Sequence, residues 1–83
     1  MRHHTTRKFW EIYEDLPEPI RKLADKNFAL LKENPQHPSL HLKKVNSLWS
    51  ARVGIHYRAL AAEAADGLVW FAIVPHDDYD RTV

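Results

Sequence analysis

The sequence predicts an α+β fold, an N-terminal helical hairpin packed on a twisted antiparallel sheet of three to four strands. Three observations lead there. Apolar residues recur at helical spacing as far as Leu31, the apolar period shortens to two after Leu40, and Pro17, Pro19, Pro35 and Pro38 fall at the joints. The 83 residues show no composition break, repeat or low-complexity tract, so residues 1–83 are read as a single domain.

Thr5 and Thr6 can cap a first helix, in which Phe9, Ile12, Tyr13 and Leu16 keep the i, i+3, i+4, i+7 spacing of a one-sided stripe. Pro17 stops it. Pro19 suits the first turn of a second helix, with Ile20, Leu23, Ala24, Asn27, Phe28 and Leu31 inward and Arg21, Lys22, Asp25 and Lys32 in water. Asn27 is the polar exception in that stripe. Asn34-Pro35 ends the helix, because the residue before a proline is pushed out of helical geometry, and Pro38 is expected to keep the linker extended.

Trp49, Ala51 and Val53 then alternate with Ser50 and Arg52, as a half-buried strand requires. Gly54 bends or ends it. Tyr57 to Glu63 forms the next strand, and Asp66-Gly67 turns it into the run from Leu68 to Val74. That run is apolar on both faces, the pattern of a covered strand at the spine of the sheet. From His76 onward the chain is polar. The segment Arg2 to Thr6 is at most a strand stub.

At 45% apolar residues, with three each of Trp, Tyr and Phe, the chain has the material for one small core. A core of that size confers modest stability, to which a bound partner can add. The absence of cysteine points to the cytosol, and no stretch reads as a signal peptide or a bilayer span, so no membrane role is expected. A net charge of +1 argues against coating nucleic acid by bulk electrostatics. Charge distribution says more: no Asp or Glu occurs from Asn34 to Ala62, where Lys43, Lys44, Arg52 and Arg58 stand with His37, His41 and His56. One basic surface is expected from this stretch.

Two antiparallel helices, then Leu42-Lys43-Lys44-Val45, Trp49-Ser50-Ala51-Arg52-Val53, Tyr57-Arg58-Ala59-Leu60, the run Trp70 to Val74, and His76 with Tyr79, follow one another along nearly the whole chain. In this order and spacing they resemble the RelE/ParE superfamily of type II toxin-antitoxin systems. The resemblance implies a toxin held by a cognate antitoxin. In the ribonuclease branch it further implies a metal-independent mRNA endoribonuclease acting on the ribosome and inhibiting translation. Attack of a ribose 2′-OH on the adjacent phosphate needs a base, a cation for the growing phosphate charge and an acid for the leaving oxygen. By resemblance Arg58 is the phosphate-stabilising cation, whose fork suits phosphate oxygens. His76 and Tyr79 match positions of a general acid or base and of an aromatic that orients or stacks on a base. Lys43, Lys44 and Arg52 would hold the RNA backbone.

The acids Asp77, Asp78 and Asp80 around the final motif depart from the basic surroundings of ribonuclease relatives. Two other readings therefore stand beside the first: a ParE-like inhibitor of DNA gyrase, and an inactive relative that binds only its antitoxin. Taken from the residues alone, His76 can equally cap a strand end, Tyr79 can close the core, and Arg52 and Lys44 can be solvated strand residues. No cofactor is implied. The pairs His3-His4 and His37 with His41 lack the number and helical geometry of a metal site, Pro38 lying within the second pair. Trp49, Tyr57 and Trp70, at strand positions, are expected in the core rather than stacked on bases.

Overall fold

The computed structural model describes residues 2–77 and contains five strands and two α-helices. In chain order they are β1 (Arg2–Thr5), α1 (Arg7–Asp15), α2 (Glu18–Glu33), a 3-10 turn (Pro38–Leu40), β2 (Lys43–Val45), β3 (Leu48–Val53), β4 (Tyr57–Ala64) and β5 (Gly67–Pro75). Among the described residues, no helix is long and apolar enough to cross a membrane.

The helices begin and end where local chemistry dictates. Thr6 accepts the Phe9 N–H at 3.1 Å as the N-cap of α1, and Leu16 closes that helix by donating to the Tyr13 carbonyl at 3.1 Å. Pro17 precedes α2, and Pro19 occupies its first turn. Phe9 and Leu16 of the first stripe and Ala24 and Leu31 of the second are buried, with Ile12, Tyr13, Ile20, Leu23 and Phe28 packed against them. The hairpin is also pinned by Tyr13 Oη, which donates to Asp25 Oδ1 at 2.7 Å. Helix α1 lies over β5 and α2 over β3.

The sheet departs from the expected one in number and sense. Its order is β1-β5-β4-β3-β2, with every pair antiparallel except β1 and β5, which run parallel. The sheet therefore has five strands and is mixed, because Arg2–Thr5 is a paired edge strand rather than a stub. Its polar sequence gives no strand signal of its own. It is held by ladder bonds to β5, flanked by the Arg2 N–H on the Asp66 carbonyl at 2.9 Å and the Thr6 N–H on the Trp70 carbonyl at 3.1 Å. The central strand is β4, with β5 interior beside it. Pro38 also differs from expectation: it starts a 3-10 turn rather than an extended linker, and the turn drives Leu40 to 0% exposure.

One irregularity decides which side chains face the helices. Leu60 pairs with Ala72 while Ala61 pairs with Trp70, so Phe71 is an extra residue in β5. Trp70 and Ile73, three apart, consequently share the helix side of the sheet with Ala51, Val53, Ala59, Ala61 and Leu68. Without that bulge, strict alternation would turn one of the two outward.

Candidate functional site

The face of the sheet away from the helices is built from cross-strand rows. Lys43, Ser50, Leu60 and Ala72 make one row, and Arg52, Arg58 and Val74 the next. Alternation puts these residues opposite the helix-side core, and none of them belongs to the buried cluster beneath the helices. The middle of this open face is nevertheless closed to solvent: Ser50 and Leu60 are 1% exposed and Arg58 is 6% exposed. Lys43 is exposed and Arg52 half-buried. Arg52 and Arg58 stand directly opposite each other, which concentrates positive charge on the β3–β4 ladder.

Chain parity divides the residues expected to form one basic surface. Lys43, Arg52 and Arg58 share the open face, whereas Lys44 pairs with Trp49 in the ladder and projects to the opposite side. There Lys44 Nζ meets Glu63 Oε1 at 2.8 Å, and Trp49 Nε1 donates to the same oxygen at 3.0 Å. The bond from Lys44, then that from Trp49, holds the Glu63 carboxyl below its ordinary range. Lys44 thus sits in an ion pair remote from Arg58, because consecutive strand residues point to opposite faces. His37 is engaged elsewhere too: its Nδ1 accepts the Ser39 N–H at 3.2 Å.

His76 follows the end of β5. Arg58 pairs with Val74 and Tyr57 with Pro75, and the next step brings His76 beside His56, whose carbonyl accepts the His76 N–H at 2.8 Å. His56, Tyr57, Pro75, His76 and Asp77 line an open hollow of about 200 Å³ there, one ladder step from Arg58. Tyr79 lies outside the described residues, as do Asp78 and Asp80.

Sequence reasoning assigned no role to three side chains that the fold engages. Asn27, the polar exception on α2, donates from Nδ2 to the Arg52 carbonyl at 2.7 Å and so ties α2 to β3. His3 accepts from Trp70 Nε1 at 3.1 Å, and His4 pairs with Asp66 at 3.0 Å, so neighbouring histidines face different partners. Among the described residues, no group of three or more His, Cys, Asp or Glu side chains is placed to hold a metal ion. His56 appears in the sequence only as one of several basic-stretch histidines. Its spacing of two before Arg58 was the available signal, useful only once β4 and β5 were placed in register.

No family model and no curated protein matches the chain. Solved structures do. The toxin-antitoxin complex RelB-RelE of Methanococcus jannaschii aligns at a TM-score of 0.72 and 18% identity over 96% of this chain and 99% of the matched one. The fold is the RelE/ParE toxin fold. The YoeB/ParE toxin of Agrobacterium tumefaciens aligns at a TM-score of 0.69 and 15% identity over 92% and 99% of the two chains. The archaeal RelE-RelB complex of Pyrococcus horikoshii gives 0.71 and 16% over 89% and 92%. The likeness to these structures spans 89% to 96% of this chain.

Proposed function

We propose that this chain is the toxin of a toxin-antitoxin pair and that it cleaves mRNA on the ribosome without a metal. The observation that carries the reading is the Arg52–Arg58 pair on the open face, two steps along the ladder from His76, in a chain that follows the RelE/ParE fold over 96% of its length. Arg58 would stabilise charge on the phosphate, His76 would transfer a proton, and Lys43 and Arg52 would hold the RNA backbone. Tyr79 is proposed to orient the base, as the resemblance implies, and Lys44 to support the strand through Glu63 rather than to touch RNA. A cognate antitoxin would bind the toxin and restrain it.

The test is primer extension on messages from cells induced for the wild type and for Arg58→Ala. New discrete ends that fall about 100-fold or more in the variant support the reading, the loss expected when a preorganised charge-stabilising group is removed. Intact messages in wild-type cells, at matched expression of folded protein, overturn it. A second reading draws on the 6% exposure of Arg58: a guanidinium closed off from solvent serves the sheet, and the chain only binds its antitoxin. Under that reading neither RNA cleavage nor DNA damage follows induction. DNA damage without RNA cleavage identifies a gyrase inhibitor instead.

A further inference from the structure

The register at the open end of the β4–β5 ladder places a second imidazole beside the proposed proton-transfer residue. Pairing proceeds from Arg58 with Val74 to Tyr57 with Pro75, and the His76 N–H then bonds to the His56 carbonyl at 2.8 Å. That bond extends the contact one residue beyond the paired strands, from the turn before β4 to the residue after β5. Both histidines are exposed, and both line the same hollow of about 200 Å³ with Tyr57, Pro75 and Asp77. Among the described residues, Asp77 is the other charged group in its wall. His56 stands exposed in the turn between β3 and β4, outside the core of the described residues.

We propose that His56 and His76 form the acid–base pair of a metal-free phosphodiester cleavage, which makes His56 a catalytic residue; this rests on the ribonuclease reading above. A single imidazole cannot deliver and accept a proton at two oxygens on opposite sides of the phosphorus in one step, whereas two lining one hollow can divide the task. In the step, one neutral imidazole takes the proton of the ribose 2′-OH and the 2′ oxygen bonds to phosphorus. The bond from phosphorus to the 5′ oxygen breaks, and the other imidazole, entering as imidazolium, gives its proton to that oxygen. The products are a 2′,3′-cyclic phosphate and a free 5′-OH, with one proton moved from one histidine to the other and no oxidant or metal required. The hollow is open at the end of the ladder, so an RNA strand can lie in it.

The experiment uses ribosomes programmed with a short mRNA carrying, at the mapped cleavage position, either the natural linkage or one whose leaving 5′ oxygen is replaced by sulfur. A thiolate leaves without being protonated, so loss of the acid is rescued on the sulfur substrate and loss of the base is not. With wild type, His56→Ala, His56→Gln and His76→Ala, each checked for folding by circular dichroism, the expected result is a loss of about 100-fold or more for every variant on the natural linkage. On the sulfur linkage, rescue should occur at one of the two positions only. Cleavage by both His56 variants within a few-fold of wild type overturns the assignment while leaving the ribonuclease reading intact. Rescue at both positions overturns it as well, since neither group would then be the base. A wild type inert on the natural linkage removes the ribonuclease reading and this pair together.

Discussion

Trp70 is 2% exposed and gives its indole N–H to His3, so this histidine is held as an acceptor. Burial, and after it the positive N-terminus, His4 and Lys32, keep its imidazole below the ordinary 6.5. The unfolded chain therefore takes up a proton more readily than the folded one. Stability is full above 6.5 and is lost as pH falls through that value toward the depressed folded one. Thermal melting should accordingly drop as pH falls below about 6.5, and His3→Gln, which keeps an acceptor for Trp70 but does not titrate, should flatten that drop. An unchanged slope in the variant would place the pH dependence elsewhere. The carboxylates act in a lower window: Asp66, held down chiefly by the bond from His4, and Glu63, held down by Lys44, contribute stability that disappears only as pH falls through their depressed values.

Strand β1 is the element most dependent on its neighbour. It has four residues, no buried side chain and one paired edge, so the backbone fit to β5 decides whether it forms. Gly67 sits at that seam, where an added Cβ would lie 1.9 Å from the Arg2 carbonyl oxygen. Gly67→Ala should therefore cost about 1–3 kcal/mol by overpacking and release β1 first. Hydrogen exchange is the direct measurement: amides of Arg2–Thr5 should lose protection while those of β3 and β4 keep theirs. At the other end of the β3–β4 hairpin, Gly54 takes φ +67°, a left-handed conformation that lets the chain turn beneath Leu23.

At the scale of the molecule, a single small core carries the fold, and its joints matter as much as its centre. Leu40 lies at the end of the 3-10 turn, at 0% exposure, where α2 is handed over to the sheet. Truncating a fully buried leucine costs about 2–5 kcal/mol, a large part of the roughly 5–15 kcal/mol that holds a domain together. Leu40→Ala should shift the urea midpoint far down with little change in slope, and leave much of the chain unfolded at growth temperature. A midpoint within about 0.5 M of wild type would show that the site collapses around the smaller side chain.

The helices and β3 to β5 were legible in the residues themselves. Phe9 to Leu16 and Ile20 to Leu31 keep helical spacing, Trp49 to Val53 alternate, and Pro17 and Asp66-Gly67 mark joints, all of which act within a few residues of chain. Order and spacing of those pieces also carried the fold resemblance. Three things came only from the tertiary structure. Arg2–Thr5 is a strand because β5 offers it a ladder, Phe71 is a bulge because Trp70 and Ile73 both face the helices, and the inward Asn27 has its partner in the Arg52 carbonyl on a distant strand. The candidate site divides in the same way. Arg58 and His76 could be named from sequence, but the burial of Arg58, the diversion of Lys44 to Glu63 and the meeting of His56 with His76 could not. Sequence by itself determined what depends on near neighbours along the chain, and register between distant strands decided the rest, because a shift of one residue moves every side chain to the other face.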